Sequence, residues 1–232
     1  MIEVSALTKV YKGVTVVNIP GLKVAKGESF GLVGNNGAGK TTFFRMILDL
    51  VRPTTGQVTS KEEDVSKNEE WKHYTGSYLD EAFLIDYLTP DEYFEFLATL
   101  HNYSSGDLNE YLAQFEELFN DEIQGKKKYI RDLSKGNQKK VGIVAALMGS
   151  PEVILLDEPF ANLDPTTQIR LKNTLKKWKE ENQLTMLISS HDLNHVTEVC
   201  ERIVLLEKGE VKRDIHTSSS TLKDLEDYFA AY

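Results

Sequence analysis

Apolar residues along this chain follow two rhythms that alternate from end to end. Ile2 to Leu7 and Val14 to Ile19 are short β-branched runs parted by a glycine, which predicts a small antiparallel sheet. ESFGLVG at 28–34 is a buried strand that runs straight into a glycine-rich segment. Further strand-like runs are VILLD at 153–157, LTMLISS at 184–190 and RIVLLEKGEVKRDI at 202–215. Between Pro90 and Met148 the spacing becomes helical, in PDEYFEFLATLHN, DLNEYLAQFEELF and GNQKKVGIVAALMG. Helical patterns at 166–180 and 192–200 separate the later strands. Strands and helices in alternation predict an α/β fold with a parallel sheet covered on both faces. The helical block, about 82–150, reads as an insertion into a core formed by 1–81 and 151–232. No repeat or long flexible linker divides the chain.

Charge narrows the picture. With 27 basic and 36 acidic residues the net charge is −9, a field that repels polyanions, so no nucleic-acid partner is expected. The cations Lys126, Lys127, Lys128, Arg131, Lys135, Lys139 and Lys140 read as a solvated loop and helix face. The single cysteine, Cys200, forms no disulfide within the chain and fits a reducing compartment. The N-terminus lacks the apolar core of a signal peptide. No window approaches the roughly 20 apolar residues of a membrane span, so a soluble cytoplasmic chain is expected.

The candidate chemistry begins at GNNGAGKTT, the segment Gly34, Asn35, Asn36, Gly37, Ala38, Gly39, Lys40, Thr41 and Thr42. It fits G-x-x-x-x-G-K-[ST] between a strand and a helix. Its glycines let successive N–H groups converge on phosphate oxygens where a side chain would obstruct them. The following helix adds its positive end. Lys40 is expected to reach the β- and γ-phosphates, and the Thr41 hydroxyl to ligate Mg²⁺. Asp157, ending the apolar strand of EVILLDEP, is placed to hold the same ion. Glu158 is placed to polarise water for attack on the γ-phosphate.

Other motifs follow in a fixed order: Tyr11 in LTKVYKG, LSKGN at 133–137, FANLD with Asp164, and SSHDL with His191. Together with the phosphate loop they resemble the ATP-binding cassette, the nucleotide-binding subunit of ABC transporters, over essentially the whole chain. The resemblance implies a P-loop NTPase fold with a RecA-like core, a small N-terminal antiparallel β subdomain and an α-helical subdomain. It further implies ATP and Mg²⁺ as ligands, with Tyr11 stacked on adenine and His191 as the switch histidine. LSKGN looks like the LSGGQ signature, whose residues Ser134, Lys135, Gly136 and Asn137 would serve ATP bound by an opposite cassette. Lys135 and Asn137 depart from that pattern, and LSKG also reads as a plain helix N-cap. The family's Q-loop glutamine is absent. Glu81 is the best alignment for it, beside Asp80, and a carboxylate ligates Mg²⁺ as well as an amide does.

The resemblance implies a homodimer or heterodimer of cassettes and a transmembrane permease on a separate chain. The cassette would then lie peripherally on the inner face of the cell membrane, and LSKGN looks most like subunits of ABC-2-type exporters. A non-transport ABC ATPase acting on ribosome or DNA is the alternative, though one phosphate loop and a negative charge fit it less well. A small-molecule kinase would leave the signature and Asp164 unexplained. His191 and His195 have the spacing of two helical zinc ligands, with no third ligand in view.

Overall fold

A computed structural model describes residues 1–230. Strands β1 (Ile2–Tyr11) and β2 (Val14–Val24) form an antiparallel hairpin closed at Lys12 and Gly13. Both are longer than the β-branched runs alone predict, because the ladder continues through Thr8 and Lys9 in β1 and through Gly21 to Val24 in β2. β3 (Ser29–Val33) runs into α1 (Lys40–Ile47), after which β4 (Thr55–Ser60) and β5 (Glu63–Asp64) return to the first sheet. Its order is β2-β1-β4-β5, antiparallel throughout.

β6 (Thr75–Tyr78) leads into the helical insertion: α2 (Pro90–Leu100), α3 (Ser105–Ala113), α4 (Glu116–Phe119) and α5 (Lys135–Leu147). Thr89 and Ser104 start α2 and α3 with reciprocal capping boxes to Glu92 and Asp107. The chain then alternates through β7 (Val153–Asp157), α6 (Pro165–Asn182), β8 (Thr185–Ser190) and α7 (Leu193–Val199). It ends with β9 (Arg202–Glu207), β10 (Glu210–His216) and α8 (Thr221–Ala230). RIVLLEKGEVKRDI is thus two strands, folded back at Lys208 and Gly209, both with positive φ.

The second sheet has the order β10-β9-β3-β8-β7-β6, parallel from β9 to β6 with β10 antiparallel at the edge. Its central strands separate two apolar cores. Val153, Leu155, Leu187, Val204 and Leu206 point into the core shared with α1 and the antiparallel sheet. Their neighbours Ile154, Leu156, Ile188, Ile203 and Leu205 point into the core shared with the helices. Both faces are therefore buried, so these strands read as unbroken apolar runs without alternation. The insertion is seated by α5, where a Cβ at Gly142 would overlap the Tyr78 ring of β6.

Candidate functional site

The phosphate-loop segment joins β3 to α1, with Gly39 in the left-handed region (φ 104) as the N-cap of α1. No side chain caps this helix and no acid lies in its first turn, which leaves its N–H groups directed outward for an anion. The glycines answer to more than phosphate. A Cβ at Gly34 would overlap the Leu206 carbonyl, and one at Gly39 would lie 2.7 Å from the Val16 carbonyl. Of the three glycines in this loop, only Gly37 faces open space. Gly34 and Gly39 are thus required by close packing against β9 and β2, a reason that the motif alone does not reveal.

Lys40 is buried, and its ammonium donates to the Gly34 carbonyl at 2.6 Å while lying 3.4 Å from Glu158 Oε1. The Thr41 hydroxyl donates to Asp157 Oδ2 at 2.5 Å, although β8 lies between β3 and β7 in the sheet. Asp157 also accepts from the Ser189 hydroxyl. Burial pushes the Asp157 carboxyl above the ordinary aspartate range, against the pull of the Ser189 and Thr41 hydroxyls. A threonine hydroxyl touching a buried carboxylate is a hard-oxygen pair of the kind Mg²⁺ takes. Glu158 Oε1 is buried without a hydrogen bond, so the site has acceptor capacity to spare. Its Oε2 lies 2.9 Å from His191 Nδ1. Lys40, Thr41, Asp157, Glu158 and His191 are therefore brought together, from three separate segments.

Other expected residues lie elsewhere. Tyr11 ends β1 half-exposed, with the Lys9 ammonium 4.9 Å from its ring centre. Ser134 is the N-cap of α5 and accepts from the Asn137 N–H at 3.2 Å, so the capping reading holds, and its hydroxyl proton remains free to donate. Ser134, Lys135, Gly136 and Asn137 line a cleft with Leu163 and Asp164 that no phosphate-loop residue enters. Asp164 in turn caps α6 through the Thr167 N–H at 3.0 Å. Glu81 Oε1 accepts from the Tyr78 hydroxyl at 3.1 Å, and Lys135 lies 3.9 Å from Oε2. His191 and His195 turn to different acids, Glu158 and Asp192.

The cation cluster needs correction. Lys126, Lys127 and Lys128 are exposed, but Lys139 and Lys140 are buried. Lys140 pairs with Glu122 at 2.8 Å and Lys139 with backbone carbonyls beside Glu158. Ser189 also escaped the sequence reading, although it sits in SSHDL; its hydroxyl holds Asp157 and accepts from the Glu158 N–H.

Comparisons with known proteins show the family. Residues 17–161 match the family model described as ABC transporter. An uncharacterized ABC transporter ATP-binding protein of Bacillus subtilis, YhaQ, is 33% identical over 98% of this chain and 78% of its own length. The bacitracin transport ATP-binding protein BcrA of Enterococcus faecalis is 34% identical, over 94% of this chain and 70% of that protein. Among solved structures, a dimeric post-hydrolysis state of the ATP-binding cassette MJ0796 bound to ADP and Pi superposes with a TM-score of 0.83. It is 28% identical and covers 94% of this chain and 100% of that one. The chain belongs to the ABC transporter family, as one of its ATP-hydrolysing cassettes.

Proposed function

We propose that the chain is the ATPase subunit of a membrane exporter, acting as one of two cassettes that close head to tail over ATP. The observation that carries this reading is the separation of two half-sites. Lys40, Thr41, Asp157, Glu158 and His191 form one cluster, while Ser134 and Gly136 face a cleft free of the phosphate loop. A cassette of this kind needs a second chain to complete its site, and the MJ0796 neighbour is dimeric.

In this reading Gly34 to Thr42 and Lys40 bind the triphosphate, with Tyr11 against the adenine. Thr41, Asp157 and, from the Q-loop position, Glu81 are the residues that would hold magnesium. The chemistry that a magnesium ion would supply there is neutralisation of charge on the phosphates. Glu158 orients the attacking water and takes its proton. His191 fixes that carboxylate through Nδ1; a neutral ring then leaves Nε2 a lone pair to accept from the water. The Ser134 hydroxyl and the N-terminal end of α5 serve the γ-phosphate bound by the opposite chain, and Asp164 contacts that chain.

The permease would dock at the groove between the core (1–81, 151–232) and the helical subdomain (82–150). Leu48, Leu50, Phe83, Leu84 and Leu97 are among its walls, and Phe83 is 54% exposed. Tyr87 is exposed as well, though it is not among the walls. No helix among the described residues is long and apolar enough to cross a membrane. In this reading the pathway is formed by a permease on another chain, and the cassette sits peripherally on the inner face through it. Export is read from the resemblance of LSKGN to ABC-2-type subunits. A transport assay in inverted vesicles, where export loads the lumen, tests the direction.

Glu158→Gln tests the catalytic assignment. The amide keeps the shape but cannot take a proton, so ATP should bind normally while turnover falls by about 10²–10⁴-fold. A closed ATP-bound dimer should accumulate on size exclusion. Turnover near wild type would remove Glu158 from the role of base.

A further inference from the structure

Lys139 lies one helical turn beyond Lys135 on α5, and only 4% of it is exposed. Its ammonium donates to the carbonyl of Glu158 at 2.7 Å and to that of Ala161 at 2.8 Å. Burial draws its pKa down, while the charges of Glu81, Glu158 and Asp157 act through space to raise it. An apolar side chain would fill this place without the desolvation cost of an ammonium. The charge therefore has work beyond filling space.

The two carbonyls belong to a strained turn. Glu158 has φ 49, left-handed for a residue with a side chain, and Pro159 follows it. A following proline also disfavours helical backbone at the residue before it. Such a conformation persists only where its surroundings impose it. The Glu158 N–H donates to the Ser189 carbonyl at 3.2 Å and to its hydroxyl at 3.1 Å. The Glu158 carbonyl receives Lys139 and the Ala161 N–H, the latter at 3.3 Å. Both peptides flanking the catalytic carboxylate are thus clamped, one by β8 and the other by α5.

We infer that Lys139 is a positioning residue for hydrolysis, holding the Glu158 backbone so that its carboxylate meets Lys40 and His191. Because α5 also begins with Ser134 and Gly136, the same ammonium ties the carboxylate to the half-site that serves the opposite chain. Seating of α5 on the partner's ATP is then felt by the base in its own chain. The inference rests on the reading of Glu158 as the base, and Lys139 touches no reacting atom itself.

The experiment is a double-mutant cycle in the full chain, with Lys139→Met, which keeps the length, and Glu158→Gln. Lys139→Met should lower kcat by about 10–10²-fold, the scale of a misplaced catalytic group. KM and ATP affinity of the dilute chain should stay unchanged. Lys139→Gln, whose amide still donates, should recover part of the loss. In the Glu158→Gln background Lys139→Met should cost nothing more, because both changes act through one carboxylate. Wild-type kcat in Lys139→Met, an undiminished further loss in the double variant, or ATP affinity falling with kcat would each overturn the inference. If Lys139→Met does not purify folded, Lys139→Gln takes its place in the cycle and the same results decide. Full turnover in Glu158→Gln alone would instead strike at the reading of the base.

Discussion

Asp157 shows what a single residue of this site costs the fold. It is 5% exposed, and burial raises its pKa above the unfolded value. At low pH both states are protonated and the residue is neutral in effect. As pH rises, the unfolded chain releases its proton first, so the folded state loses stability between the two pKa values. Above the folded pKa the loss is complete, and at neutral pH the charge opposes folding. Asp157→Asn should therefore raise the melting temperature of the nucleotide-free chain at pH 7. Mg²⁺ and ATP should reverse the order, since a ligand stabilises more the tighter it binds and the variant offers the metal a neutral amide in place of a charged carboxylate. Calorimetry with and without Mg-ATP reads both effects; a variant that melts lower in the free state would contradict the argument. Motif spacing picked out Lys40, Thr41, Asp157, Glu158 and His191, which the fold brings together, because the motif fixes their residue types within narrow limits. Lys139 was not legible, since a lysine near the polar start of a helix looks alike whether its ammonium meets water or two carbonyls.

At the scale of elements, legibility followed burial. β3, β7, β8 and β9 are apolar on both faces and stand out as runs. β4 reads TGQVTS and β6 reads TGSY; they carry too few apolar residues for either rhythm, and their pairing partners decide their structure. The order β3-β8-β7, which puts β8 between the phosphate loop's strand and that of Asp157, is likewise a tertiary fact. The stretch after β6 matters most for coupling. A 3-10 turn at Glu81–Phe83, started by Asp80 accepting from the Ala82 N–H, turns Phe83 outward into the groove while Glu81 stays near Lys135. One short element thus touches both the proposed docking groove and α5. Photocrosslinkers placed singly at 82–88 should capture a membrane protein in native membranes, most strongly from position 83. A set of positions that never captures one would remove this groove as the docking site.

For the whole molecule the deciding question is whether a complete site spans two chains. Ser134→Arg adds bulk and charge where the opposite cassette must close, and removes a cap worth about 0.5–2 kcal/mol, so modest destabilisation is expected. It should spare ATP binding by a dilute single chain and stop hydrolysis. Lys40→Ala differs in kind. It deletes a buried ammonium of the phosphate loop; if that ammonium meets the phosphates within its own chain, the single chain itself should bind ATP more weakly. Titration of a fluorescent ATP analogue into dilute protein separates the two, and equal losses of affinity would place Ser134 on its own chain's nucleotide. Mixing the two inactive variants carries the argument further. In a mixed dimer one site combines the altered Lys40 with the altered Ser134, and the other combines an intact Lys40 with an intact Ser134. Activity absent from either variant alone should then appear in the mixture and rise with the fraction of mixed dimers. No arrangement confined to one chain produces that recovery, because every single chain in the mixture carries a defect.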